Sequence, residues 1–421
     1  MISTKTFWNA TLATALAIGI LGCGASGGAS TETKEPTKAP EATTTETASA
    51  RKLPTVEGNK AGDVIKIGIV ASLNGENRPW GVDSVAGAQL AIDEVNAAGG
   101  IGGKKLQLLQ GDSNSKAEQG KSAAEKLISD GALVLLGEVA SGITMQMSQA
   151  AFEKGVPVIA IGATRTDISA DNGALFRVCY TDAFQGPVMA KFAFDELGLK
   201  KVALITDKKL PYSTGLSDSF RAYFTKLGGE IVDEQFYESG QTDFKGILTS
   251  VKTKQPDGLF LSGYFTETGP LAKQSREAGL NVKLLGGDGW DSKEILNSGG
   301  DAILGSFFCN HYNNKEARPE VQSFLDKWKA KYPSNPEPAT TMGALGYDSA
   351  ILAIDALKRV TGEITSKALT EQIEATESFK AVSGNITLKG NKGDPPKRAL
   401  VVELTKDGQV FRKAYEASEI K

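Results

Sequence analysis

A single histidine, His311, is present among 421 residues, and cysteine occurs only three times. With one imidazole no multi-histidine metal centre can be built. His311 itself follows a strand among aromatic neighbours and reads as a packed or surface ring, not as the base of a Ser-His-Asp or Cys-His pair. Carboxylates are plentiful, but no two are marked as a catalytic pair. Charge of one sign is also missing: 47 basic side chains nearly balance 50 acidic ones, for a formal net of −3. No basic stripe interleaved with aromatics is present, which argues against a nucleic-acid partner. The glycine clusters Gly99-Gly100-Ile101-Gly102-Gly103 and Gly286-Gly287-Asp288-Gly289 fit neither a phosphate-binding loop nor a dinucleotide fingerprint and read as turns. No repeat of solenoid period occurs. No enzyme, metal or cofactor is implied.

Long hydrophobic runs are equally scarce. Lys5 precedes an apolar stretch, Leu12 to Leu21, too short to span a bilayer and placed like the core of a secretion signal. It ends in Ile20-Leu21-Gly22-Cys23, which resembles a bacterial lipobox, although Leu21 is bulkier than usual there. Residues 1–22 are therefore expected to be a signal peptide and Cys23 a lipidated anchor, the alternative being an ordinary signal with an incidental cysteine. Residues 23–63, rich in Thr, Glu, Ala, Ser, Lys and Pro, hold almost nothing large and apolar, and are expected to form a disordered tether. About 40 such residues reach roughly 35 Å. The mature chain would be extracytoplasmic, on the periplasmic or cell-surface side of the membrane holding the lipid.

Then the pattern changes. Ile65-Lys66-Ile67-Gly68-Ile69-Val70 alternates and turns wholly apolar, as a strand covered on both faces does. Ala71-Ser72-Leu73-Asn74-Gly75 reads as a turn, and Val85, Ala88, Ile92 and Val95 recur at helical spacing. With the apolar run Leu106 to Leu109 this spells a βαβ unit, whose binding loops lie at the carboxyl ends of the strands. Further strands are expected at Leu133–Leu136, Pro157–Ile161, Val202–Thr206, Ile231–Tyr237, Gly258–Ser262, Val282–Leu285 and Gly305–Phe308. Helical patterns lie between most of them, including Pro187–Leu197, Leu216–Leu227 and Glu267–Ala278, so the sheets should be parallel. Helices Pro319–Tyr332, Met342–Val360 and Lys367–Ala375 follow, then a hairpin-like pair, Ala399–Leu404 and Gln409–Phe411. The roughly 360 residues involved exceed what one core usually covers, so two lobes are expected.

A more specific resemblance rests on an ordered series of polar loops. These are Ser72-Leu73-Asn74-Gly75 with Trp80-Gly81, Ala97-Ala98-Gly99-Gly100-Ile101, Gly137-Glu138-Val139-Ala140-Ser141 and Gly162-Ala163-Thr164. Phe176-Arg177-Val178 with Asp182 and Gln185-Gly186, Tyr212 with Gly215-Leu216, and Gly286-Gly287-Asp288-Gly289 complete it. From Ile65 to about Phe411 the chain resembles the branched-chain amino acid binding proteins, the Leu/Ile/Val-binding type I periplasmic family that feeds ABC importers. The resemblance implies an α/β fold of two Rossmann-like, doubly wound lobes joined by a three-strand hinge. The first lobe would take 64–181 and 311–388, the second 182–310 and 389–421.

The same resemblance implies roles for single residues. Ser141, Gly162 and Thr164 would hold a ligand carboxylate. Asp288 would face its ammonium, with a turn residue between glycines as the alternative, and Tyr212 would help enclose it. Trp80 would cover the ligand side chain or else pack at the lobe edge. The loop Ala160-Ile161-Gly162-Ala163-Thr164-Arg165 departs from the family pattern. If Arg165 or Arg78 points inward an acidic ligand is implied; if both are solvated, an aliphatic or small polar amino acid. Cys179 and Cys309 would lie at matching places on hinge strands and are expected to be adjacent, as a disulfide or as two buried thiols. A monomer that closes on its ligand and docks on a permease follows. A sensor domain of the same fold, or a binder of acidic or aromatic carboxylates or amides, is the alternative.

Overall fold

Ile65, Ile67, Ile69 and Val70 are fully buried in strand β1 (Ile65–Ala71) of the computed structural model, which describes residues 51–338 and 340–420. Helix α1 (Arg78–Ala97) carries the chain to β2 (Leu106–Asp112), which pairs parallel with β1 from Ile65↔Leu106 to Ala71↔Asp112. Helices α2 (Ala117–Ser129) and α3 (Ser141–Glu153) alternate with β3 (Leu135–Leu136), β4 (Val158–Ala160) and β5 (Leu175–Arg177). The strands line up β2-β1-β3-β4-β5, all parallel.

Helix α4 (Asp182–Lys191) starts the second sheet, continuing into a π-helical turn at Phe192–Glu196. The elements β6 (Lys201–Asp207), α5 (Pro211–Lys226), β7 (Glu230–Tyr237), α6 (Lys245–Thr253), β8 (Gly258–Ser262), α7 (Phe265–Glu277), β9 (Lys283–Gly286), α8 (Glu294–Gly299) and β10 (Phe307–Asn310) follow. Their parallel order, β7-β6-β8-β9-β10, repeats that of the first sheet. Helices α9 (Pro319–Lys331), α10 (Met342–Arg359) and α11 (Ser366–Glu374) return to the first sheet, α10 packing on α1, β3 and β4. The hairpin β11 (Ala399–Thr405) and β12 (Gly408–Tyr415) then adds an antiparallel edge to the second sheet through β10. In each sheet the order reverses direction beside its first strand, β1/β3 and β6/β8, and such switch points open a crevice at the strands' carboxyl ends.

The chain crosses between the sheets after β5, after β10 and before β11. Buried Lys397, on the last crossing, donates from Nζ to the Val178 carbonyl on the first at 2.7 Å, tying two crossings together.

Two expectations are corrected. Cys179 and Cys309 are buried free thiols, not a disulfide. The Cys179 thiol turns into the first lobe toward the Ala163 carbonyl, 3.5 Å away, whereas Cys309 faces the Tyr180 side chain, so the sulfurs serve different neighbours. Burial pushes the Cys179 thiol up to about 12. Residues 51–62, expected to belong to the tether, instead lie along the first lobe. Arg51 donates to the carbonyls of Asn172 (2.9 Å) and Leu175 (2.7 Å), and Asn59 to those of Ile128 and Ala132 (2.8 Å each). Buried carbonyls that accept such bonds offset the ordering of a polar segment. The expected signal peptide, Cys23 and the expected tether up to residue 50 lie outside the described residues.

Candidate functional site

Loops from the carboxyl ends of both sheets meet around a narrow cavity, lined by Trp80, Val139, Gly162 and Met342 from the first lobe and Tyr212, Tyr264, Asp288 and Gly289 from the second. Val139 follows β3 and Gly162 follows β4; Tyr212 and Tyr264 flank the β6/β8 switch point, and Asp288 opens a short 3-10 turn after β9. Four of the six residues anticipated as ligand contacts, Trp80, Gly162, Tyr212 and Asp288, thus share one wall system. Ser141 and Thr164 are buried beside it but do not line it.

The second-lobe half is a hydrogen-bonded frame around Asp288. Its Oδ2 lies 2.9 Å from His311 Nε2, and its Oδ1 accepts from Gln185 Nε2 at 3.0 Å. Gln185 Oε1 in turn accepts the Asp288 backbone N–H at 3.2 Å, fixing main chain and side chain together. His311 is fully buried and stacks on Tyr180 with ring centroids 4.0 Å apart. The lone imidazole is therefore a packed residue whose partner is the site carboxylate. Tyr212 Oη accepts the Gly289 N–H at 3.0 Å. Glycine is required in this turn: a Cβ on Gly287 would lie 2.5 Å from Tyr212 Oη, and one on Gly289 2.9 Å from the Tyr264 ring.

Gln185 also reaches the first lobe. Its Nε2 lies 2.7 Å from Asp182 Oδ1 and 3.3 Å from Thr164 Oγ1, so one amide joins Asp288 to Thr164, the residues anticipated for opposite ends of a ligand. Burial, and then the neighbouring Asp288 charge, raises the Asp182 carboxyl to about 7. The loop Gly162–Thr164 is braced from below by Arg177, which is fully buried in β5. Its guanidinium donates to Asp394 Oδ1 (2.6 Å), to the carbonyls of Ala163 (2.8 Å) and Arg165 (2.9 Å) and to Ser169 Oγ (2.9 Å). Such charge-assisted bonds to fixed acceptors hold a loop in one geometry.

On the neighbouring loop, Glu138 is buried and accepts from Ser72 Oγ (2.6 Å), Ser113 Oγ (3.0 Å) and the Ala140 N–H (2.7 Å); burial raises its carboxyl. This fixes the start of α3, where Ser141 Oγ accepts the Arg165 N–H at 3.3 Å. The first N–H groups of α3 have no intrahelical acceptor, which makes that end favourable to an anion.

Trp80 is 1% exposed and crosses the cleft: its indole N–H donates to the Asp291 carbonyl at 2.7 Å, and its ring meets Tyr264 and Phe265 edge-on at 4.9 and 5.1 Å. Of the two arginines in question, Arg78 is exposed. Arg165 is held by both oxygens of Asp167 (2.7 and 2.8 Å) and crosses to the Pro211 carbonyl (2.6 Å) and Thr214 Oγ1 (3.1 Å) of α5, and neither arginine lines the cavity. Tyr264 and Met342 were not singled out from the sequence. Tyr264 stands two residues past the end of β8, where the strand-end rule points, whereas Met342 opens α10, far along the chain.

Among the described residues no group of His, Cys, Asp and Glu is arranged to hold a metal ion, and no helix is long and apolar enough to cross a membrane.

Comparison with known proteins agrees with this architecture. The periplasmic binding protein family model matches residues 64–409. Leu/Ile/Val-binding protein homolog 3 of Brucella melitensis is 31% identical over 327 residues, covering 77% of this chain and 86% of the relative. The crystal structure of the leucine-binding protein LivK from Thermotoga maritima superimposes with a TM-score of 0.79 at 30% identity, covering 85% of this chain and 100% of that one. The branched-chain amino acid transporter substrate-binding protein LivJ from Streptococcus pneumoniae, solved with isoleucine, gives 0.77 at 29% identity, with 84% and 99% covered. Two doubly wound lobes, a cleft at their strand ends and this match over most of the chain lead to one conclusion: the chain belongs to the periplasmic binding protein family, with the type I fold.

Proposed function

We propose that this protein captures an aliphatic amino acid of the branched-chain class between its two lobes and delivers it to the permease of an ABC importer. The observation that carries the reading is the polarity across the cleft: Asp288 lines the cavity from the second lobe, and on the first Gly162 lines it, with Ser141 at the amino-terminal end of α3 and Thr164 buried behind that wall. A zwitterion presents the opposite charges in that arrangement, and its anion is met by neutral donors already fixed on strand ends and a helix terminus. Trp80, Val139, Tyr212, Tyr264 and Met342 supply apolar walls for a side chain. The absence of arginine from the lining favours an uncharged side chain over an acidic one. The Leu/Ile/Val-binding relatives support the same class.

Ligand bridging would shift the two-lobed body toward closure and present a joined surface to the permease, with no covalent step. The signal-like run ending at Gly22-Cys23 supports export and lipid anchoring through Cys23, and a body that must close on its ligand and dock on a permease suits a monomer.

A thermal-shift screen of ligand-stripped protein against the amino acids tests the reading. A ligand at a hundred times its dissociation constant stabilises by about 2.7 kcal/mol. Stabilisation by leucine, isoleucine or valine supports it; stabilisation only by carboxylates lacking an ammonium group would overturn it.

A further inference from the structure

Asp291 stands three residues beyond Asp288 on the second lobe and is 1% exposed, yet much of what it touches belongs to the first. Its backbone carbonyl accepts the indole N–H of Trp80 at 2.7 Å. Its Oδ2 accepts both the backbone N–H and the hydroxyl of Thr341, the hydroxyl at 2.7 Å. That hydroxyl is shared with Asn310 Oδ1 at 3.0 Å, and Gln409 donates to Asp291 Oδ1, so the carboxylate is held from its own lobe as well. Thr341 occupies the cap position of the 18-residue helix α10 but makes no side-chain cap bond of its own. Thr340 Oγ1 takes the Met342 N–H, and the carboxylate that takes the N–H of the cap residue Thr341 comes from the opposite lobe; the helix dipole favours an anion at this end.

We infer that Asp291 is the latch of the closed form: a positioning residue whose carboxylate caps α10 across the cleft and whose backbone carbonyl holds Trp80 against the ligand cavity, so that ligand release requires these three hydrogen bonds to break. Another tie across the cleft, Arg165 to Pro211 and Thr214, differs in kind. The Arg165 side chain is 26% exposed and already paired with Asp167, and solvated ion pairs contribute little. Asp291 is a buried tie, and Met342, next to Thr341, lines the cavity itself, so latch and ligand share one wall. The inference rests on the reading that the lobes close over an amino acid.

The test uses the full chain, with an equimolar mixture of L-leucine, L-isoleucine and L-valine as the probe. Binding midpoint, release rate and radius of gyration by small-angle scattering are measured for wild type, Asp291→Ala and Thr341→Val. The latch predicts a midpoint at least about tenfold higher in Asp291→Ala, carried by faster release, with incomplete contraction at saturation. Thr341→Val, which removes one hydroxyl and leaves the backbone N–H, should lose about threefold. An unchanged midpoint and full contraction in Asp291→Ala would overturn the latch, as would a lower denaturation midpoint of the ligand-free protein with an unaltered release rate. If Asp291→Ala does not fold, Thr341→Val decides alone, and wild-type release from it overturns the inference. If wild type ignores the mixture, the amino-acid reading falls separately, and ligand-free scattering judges the latch: a larger radius in Asp291→Ala supports it, and equal radii refute it.

Discussion

Replacing Asp288 by alanine tests the site at its most charged point. Asp288 is 2% exposed, and its carboxylate serves His311 Nε2 at 2.9 Å and Gln185 Nε2 at 3.0 Å. Gln185 keeps Asp182 and Thr164 as acceptors after the change, so the donor left stranded is His311, at about 1–3 kcal/mol of fold stability. The loss in binding should be larger. An ammonium enclosed by Trp80, Tyr212 and Tyr264 without its counter-charge costs about 3–5 kcal/mol, or roughly 100- to 4,000-fold in Kd. Asp288→Asn removes the charge while keeping an oxygen acceptor for His311, so it should retain most stability and still lose most affinity. Titration calorimetry reads the binding and urea denaturation the stability. An Asp288→Ala protein that binds leucine within about threefold of wild type would refute the reasoning, because neutral hydrogen bonds alone could not hide the loss of a buried counter-charge.

Two further outcomes follow from the same geometry. Burial and the Asp288 charge raise the Asp182 carboxyl from 3.8 to about 7. The native state therefore holds a proton that the unfolded chain has released, and stability present below about pH 4 declines as pH rises through about 7, by at most roughly 4 kcal/mol. Asp182→Asn should flatten that stretch of the denaturation-midpoint profile, and a profile identical to wild type would contradict the assignment. A chain started at Val64 loses the four carbonyl bonds made by Arg51 and Asn59, and urea denaturation should find it about 2–5 kcal/mol less stable; an equal midpoint would show that residues 51–62 merely rest on the surface.

Local pattern carried most of the architecture. The strand read at Gly258–Ser262 is β8 at both ends, and the βαβ unit from Ile65 to Asp112 has the expected parallel register. What was not legible depends on partners distant in sequence. Leu175–Arg177 is not among the strands read from the pattern, three residues ending in arginine being too short a signal; Arg177 is buried there with Asp394, 217 residues on, accepting its Nε–H. Residues 51–62 looked like tether for the same reason, since Asn59 finds its acceptors at Ile128 and Ala132. His311 had no local mark of its bond to Asp288, and the antiparallel hairpin β11–β12 joins a parallel sheet only through β10. Conversely, Trp80, Gly162, Tyr212 and Asp288 sit on strand-end loops and at helix starts, so finding the strands also located much of the cavity wall.

The central claim, that both poles of an amino acid are held at once by opposite lobes, is tested most directly by calorimetric titration of the ligand-stripped protein with L-leucine and with its 2-hydroxy analogue, which differs only in carrying a hydroxyl in place of the ammonium group. Leucine should bind, and the analogue should be weaker by at least about 100-fold. Equal affinity for the two would contradict it.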